Sequence, residues 1–134
     1  MPKVILVSGI SNSGKTKSIR RFLENRGIHH IKRKGDVTVV VPIQKNGKSY
    51  AIGVASGGDN LGVVRRNLTF IDRYHWDVVV CASRSRGQTP QYVRNFAQQN
   101  RAKFVRLRTK HVKGKPAITA AISRIASQVE RNLP

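Results

Sequence analysis

Apolar positions along the chain change period several times, and each change marks an element. Lys3-Val4-Ile5-Leu6-Val7-Ser8 is an unbroken apolar run of strand length. Ile19, Phe22 and Leu23 then fall on one face of a helical repeat, predicting a helix over 14–26 that Gly27 ends as a C′ glycine. Asp36 to Ile43 is β-branched, and Tyr50 to Ala55 is apolar. Asn46-Gly47 between them predicts an antiparallel hairpin. Pro42 has no N–H to give, so the outgoing strand is expected at an edge. Ser56-Gly57-Gly58-Asp59-Asn60 reads as a turn, and Leu61, Val64, Leu68 and Ile71 set a second helix. Asp77 to Ser83 is apolar throughout, as a strand buried on both faces must be, and Tyr74 and Trp76 before it are expected to close the core. Thr89-Pro90 reads as cap and first position of a helix carrying Tyr92, Val93, Phe96 and Ala97. Lys103 to Arg108 is a fifth strand. A basic loop over 109–116 leads to a last helix with Ile118, Ala121, Ile122, Ile125 and Val129 inward.

This order predicts an α/β fold of three layers. Its sheet has five mostly parallel strands and one antiparallel edge strand in the hairpin over 36–55. With 134 residues the chain is expected to form one domain, 1–134. The apolar N-terminus is too short for a signal peptide and no stretch has transmembrane length, so the expected location is cytoplasmic. Cys81, the lone cysteine, lies in an apolar run and reads as a buried small residue that forms no intrachain disulfide.

Residues 9–16, Gly-Ile-Ser-Asn-Ser-Gly-Lys-Thr, match the phosphate-binding pattern G-x-x-x-x-G-K-[ST] between the first strand and the first helix. Glycines let the backbone curl so that N–H groups converge on a phosphate, and the helix N-terminus adds partial positive charge. Here the chain resembles the P-loop NTPase superfamily, firmly over 3–26 and elsewhere by topology. The element order is similar to the front of a Ras-like GTPase fold, though shorter. The resemblance implies a site for ATP (or GTP) and Mg²⁺. Gly9, Asn12, Ser13, Gly14, Lys15, Thr16 and Lys17 would hold the nucleotide, Lys15 at the β/γ-phosphates and Thr16 on the metal. The guanine-specifying Asn-Lys-x-Asp is missing, which makes adenine the expected base.

Ligands of open α/β sheets sit outside the carboxyl ends of the strands, and that rule sorts the six acids. Glu24, Asp72, Asp77 and Glu130 fall elsewhere. Asp59, after the third strand, is the first candidate to hold Mg²⁺ or its waters. Asp36 reaches the same edge by opening an antiparallel strand. Asp59 or Asn60 is equally suited to cap the following helix, and both roles are compatible. Gly57 and Gly58 suit either a γ-phosphate-sensing loop or an ordinary tight turn. Arg84 and Arg86, after the fourth strand, could stabilise charge on a transferring phosphate, clamp an acceptor's phosphate, or lie solvated.

Charge changes the picture of the partner. Twenty-six Lys and Arg face six acids, giving +20 and a pI near 11.6, as expected of proteins that meet polyanions, chiefly nucleic acid. Arg106, Arg108, Lys110, Lys113 and Lys115, with Lys32, Arg33 and Lys34, are expected to form a basic rim around the site mouth. No aromatic residues interleave with them, which favours phosphate contact over base stacking. His29-His30 lacks further ligands at metal spacing. Three readings follow: a small Mg-dependent ATPase that engages a polyanion, a small-molecule or nucleotide kinase, and a non-enzymatic nucleotide switch on a nucleic-acid-binding module.

Overall fold

The computed structural model describes residues 2–10, 13–28 and 35–134. It contains β1 (Lys3–Ser8), α1 (Lys15–Asn25), β2 (Thr38–Lys45), β3 (Lys48–Ala55), α2 (Leu61–Ile71), β4 (Val78–Ser83), α3 (Gln88–Gln99), β5 (Lys103–Arg108) and α4 (Lys115–Arg131). The strands form one sheet in the order β2-β3-β4-β1-β5. Only β2 runs antiparallel, paired with β3 through the Asn46-Gly47 turn, and it is an edge strand as Pro42 requires. The expected five-stranded, mostly parallel three-layer sheet is the observed one.

The period-2 alternation of a strand explains why the central runs are apolar throughout. Ile5 and Val7 of β1, with Val78, Val80 and Ala82 of β4, face Ile19, Phe22 and Leu23 of α1 and Ile125 and Val129 of α4. Val4, Leu6, Val79 and Cys81 face the opposite layer, built from Val64, Leu68 and Ile71 of α2 and Val93 and Phe96 of α3. Each fully buried Val, Leu or Ile contributes roughly 1.5–3 kcal/mol, so neither face of β1 or β4 has room for a charge.

Three local expectations are corrected. Thr89 does not cap α3. Gly87 occupies the N-cap with φ 95°, and the Thr89 hydroxyl accepts a hydrogen bond from the Arg84 N–H at 3.0 Å, fixing the loop after β4. Trp76 is buried, stacks on Phe96 at 5.6 Å and donates to Asp72, whereas Tyr74 is half exposed, its ring centroid 5.5 Å from that of Phe70. Ile118 is also exposed: α4 is buried at Ile125, Ala126 and Val129, its first turn and a half is exposed, and Ile122 lies beside Gly14 at the start of α1.

Because β4 lies between β3 and β1, the turn after β3 must cross the end of β4 to approach the turn after β1. Gly58 permits that crossing. A Cβ there would sit 2.4 Å from the Ala82 carbonyl carbon and oxygen and 2.7 Å from the Ser83 nitrogen, all of it backbone that cannot swing aside. Gly58→Ala is expected to cost about 1–3 kcal/mol, the usual penalty of overpacking, read as a lower urea midpoint. An unchanged midpoint would show that this crossing is not tight.

Candidate functional site

The carboxyl ends of β1, β3, β4 and β5 meet at one edge, where β2 begins. Ser8 is in register with Ser83 on one side and Arg108 on the other. The Gly9–Thr16 turn is anchored to both neighbours. Gly9 N–H donates to the Ser83 carbonyl at 3.1 Å, and Thr109 N–H donates to the Ser8 carbonyl at 2.8 Å. The Ser13 and Thr109 hydroxyls are 2.6 Å apart, which ties the turn to the first residue after β5. Gly14 adopts φ 91° and opens α1 with no side-chain cap and no acid in the first turn. The first N–H groups of α1 therefore lack intrahelical partners and carry the positive end of its dipole.

Lys15 is only 5% exposed. Its ammonium donates to the Gly9 carbonyl at 2.9 Å and to Asp59 Oδ1 at 2.6 Å. An ammonium has three donors, so one has no partner among the described residues. Asp59 is free to pair in this way because Asn60 caps α2, its side chain accepting from Val63 N–H at 2.9 Å. The capping alternative therefore falls on Asn60.

Asp36 takes the other half of the acid chemistry. The Thr16 hydroxyl donates to Asp36 Oδ1 at 3.0 Å and lies 3.3 Å from the Ser56 carbonyl. Ser56 holds the segment in place: its hydroxyl accepts from Val37 N–H at 2.7 Å and is 3.5 Å from Asp36 Oδ1. The two candidate acids thus divide, Asp59 to the lysine and Asp36 to the threonine.

Two clefts flank this centre. The larger, about 290 Å³, lies between the start of α1 and the segment over 110–122. One end is polar, with Ser13, Lys15, Thr16, Lys17, Asp59 and Lys110, and the other is apolar, with Val112, Ile118, Ala121 and Ile122. The smaller, about 220 Å³, is bounded by Asp59, Arg84, Arg86 and the N-terminal ends of α2 and α3. Among the described residues no three His, Cys, Asp or Glu come together as a metal cluster. The Cys81 thiol is buried and pushed up to about 12 by that burial, so it offers no nucleophile.

The basic residues separate into two kinds. Arg106 is turned inward: its guanidinium donates to the Ser8 hydroxyl at 2.9 Å and to the Ser85 carbonyl. Burial, then the charges of Arg108 and Arg94, lower its pKa. Arg108, Lys110, Lys113 and Lys115 are exposed at the end of β5 and along the loop into α4. Lys32, Arg33 and Lys34, with Asn12 and His29-His30, lie outside the described residues.

Sequence reasoning did not single out Ser56 or Thr109. Both are the first residue after a parallel strand, and the edge rule that selected Asp59 applies to them equally. No described helix is long and apolar enough to cross a membrane. Neither a protein-family model nor a curated protein matches this chain.

Proposed function

We propose that the chain is a small Mg²⁺-dependent nucleoside-triphosphate-binding protein of P-loop type that hydrolyses ATP and engages nucleic acid or another polyanion through its basic loop. One observation carries the reading. Lys15 sits in G-x-x-x-x-G-K-T between a strand and a helix, with one ammonium donor unused among the described residues and a carboxylate from the β3 end beside it. In the larger cleft the phosphates fit the polar end, against Ser13, Gly14, Lys15, Thr16 and Lys17. The apolar end at Val112, Ile118 and Ile122 suits the flat face of a base.

Thr16 and Asp36 offer hard oxygen donors side by side, which fits Mg²⁺: it prefers oxygen ligands and takes only one or two carboxylates, with water and phosphate completing its shell. Bound there, the metal would neutralise charge on the β- and γ-phosphates. Lys15 supplies fixed positive charge where the γ-phosphate becomes more negative, and Asp59 keeps the ammonium aimed. In hydrolysis a water oxygen attacks the γ-phosphorus and the bond to the bridging oxygen breaks, leaving ADP and phosphate.

ATP turnover measured with and without DNA and RNA tests the reading. Mg²⁺-dependent release of phosphate, changed by the polyanion, is expected. Tight nucleotide binding with no turnover under any condition would replace the ATPase with the nucleotide-switch reading.

The basic loop gives a further expected result. Contact of Arg108, Lys110, Lys113 and Lys115 with phosphates should give similar binding to unrelated nucleic-acid sequences, falling steeply with salt. Arg106 is left out of this surface because its guanidinium is turned inward onto Ser8 and Ser85. Changing Lys110, Lys113 and Lys115 to Ala should flatten the log–log salt slope by about two to three units, at about 0.7–0.9 per phosphate. An unchanged slope would place the contact elsewhere on the chain.

A further inference from the structure

Asp59 is common to both clefts. On the side away from the Gly9–Thr16 turn stand Arg84 and Arg86, both exposed, and neither guanidinium has a hydrogen-bond or carboxylate partner among the described residues. Many cations of this chain are unpaired, since basic residues outnumber acids 26 to 6. These two differ in being concave neighbours. They share one small cleft whose only carboxylate among the described residues, Asp59, is already paired with Lys15. The loop that carries them is held from within: Thr89 accepts from Arg84 N–H, and Arg106 grips the Ser85 carbonyl. The start of α3 borders the same cleft with a glycine cap, no capping side chain and no acid in its first turn. Every charge there except one neutralised carboxylate is positive.

We propose that this cleft binds a phosphate group of a second molecule, across Asp59 from the nucleotide. Two guanidinium forks match the oxygens and the double charge of a phosphate monoester. At about 220 Å³ the cleft is below the range of about 300–1,000 Å³ that holds a whole drug-sized ligand. It therefore takes the phosphate end of a molecule and leaves the remainder outside. That end could come from a small metabolite or from the terminus of a nucleic-acid strand, and both present the same group. The position relative to the first cleft rests on the nucleotide reading, whereas anion binding by the two arginines does not.

The test separates these. Inorganic phosphate is titrated into the wild-type chain, in which Lys15 stays paired with Asp59, and followed by NMR at the Arg84 and Arg86 side-chain N–H signals and the Gln88 amide, which border this cleft and not the lysine site. Saturable shifts are expected, and they should weaken tenfold or more when Arg84→Ala and Arg86→Ala are added. In the otherwise wild-type chain the double arginine variant should bind Mg-ATP within twofold of normal. A short oligonucleotide with a 5′-phosphate, compared with its 5′-hydroxyl form, identifies the source: stronger binding of the phosphorylated strand than of inorganic phosphate assigns the cleft to strand ends, and equal binding to small phosphate esters. No shift at Arg84, Arg86 or Gln88 with any of these probes overturns the proposal. Loss of Mg-ATP binding in the arginine variant also overturns it, by placing both arginines in the nucleotide site. Mg-ATP binding that survives Lys15→Ala would instead overturn the nucleotide reading and leave the anion cleft standing.

Discussion

Lys15→Ala is expected to weaken Mg-ATP binding roughly a hundredfold or more while leaving the fold in place. The ammonium is buried, bonded to Gly9 O and Asp59 Oδ1, and among the described residues has one donor left for a ligand. Charge-assisted hydrogen bonds contribute about 1.5–3 kcal/mol each, and each 1.4 kcal/mol is tenfold in affinity. One such bond at the upper end of that range accounts for a loss of that size. Stability should change by no more than about 1–2 kcal/mol. The Gly9 carbonyl loses a partner, but Asp59 is 56% exposed and water can solvate it. Alanine also suits the first turn of a helix. Calorimetric titration and a urea melt read the two effects separately. A variant that melts normally yet binds Mg-ATP like the wild type would sink the phosphate role of the turn.

The two acids should part company when each is neutralised without change of shape. Asp36→Asn removes charge beside the Thr16 hydroxyl and is expected to raise the Mg²⁺ concentration needed for turnover about 10–100-fold, the usual effect of disturbing a metal's supporting residues. Asp59→Asn breaks the ion pair with Lys15 and should lower turnover at every Mg²⁺ concentration. Neither change should melt α2, whose cap is Asn60. A Mg²⁺ profile shifted in Asp59→Asn and unchanged in Asp36→Asn would exchange the two roles.

Most of the fold was legible because burial on two faces leaves a plain mark: Val78-Val79-Val80 admits only a central strand, and Asn46-Gly47 with Pro42 defines the edge hairpin. Strand order was less legible. Nothing local in Asp77–Ser83 states that β4 inserts between β3 and β1, because parallel neighbours are joined through long crossovers rather than through a turn. That insertion explains why Gly58 must be small: it crosses over Ala82 and Ser83. The site was legible in its residue types and only partly in their pairing. Asp59 and Asp36 were both brought to the right edge by topology. Their division between Lys15 and Thr16 depends on Ser56, which no motif marks. Ile118 reads as core because its spacing continues the stripe of Ile122 and Ile125, yet spacing cannot show where along a helix burial begins. Arg106 read as a surface cation for a similar reason: its sequence neighbours are basic, but its own side chain turns back to Ser8.

The most direct test of the central claim is calorimetric titration of Mg-ATP into the wild-type chain, repeated with EDTA and with Mg-GTP. One saturable site per chain is expected, which weakens when EDTA removes the metal and does not prefer GTP. No saturable binding of either nucleotide at millimolar concentration, by a chain that circular dichroism shows to be folded, would contradict it.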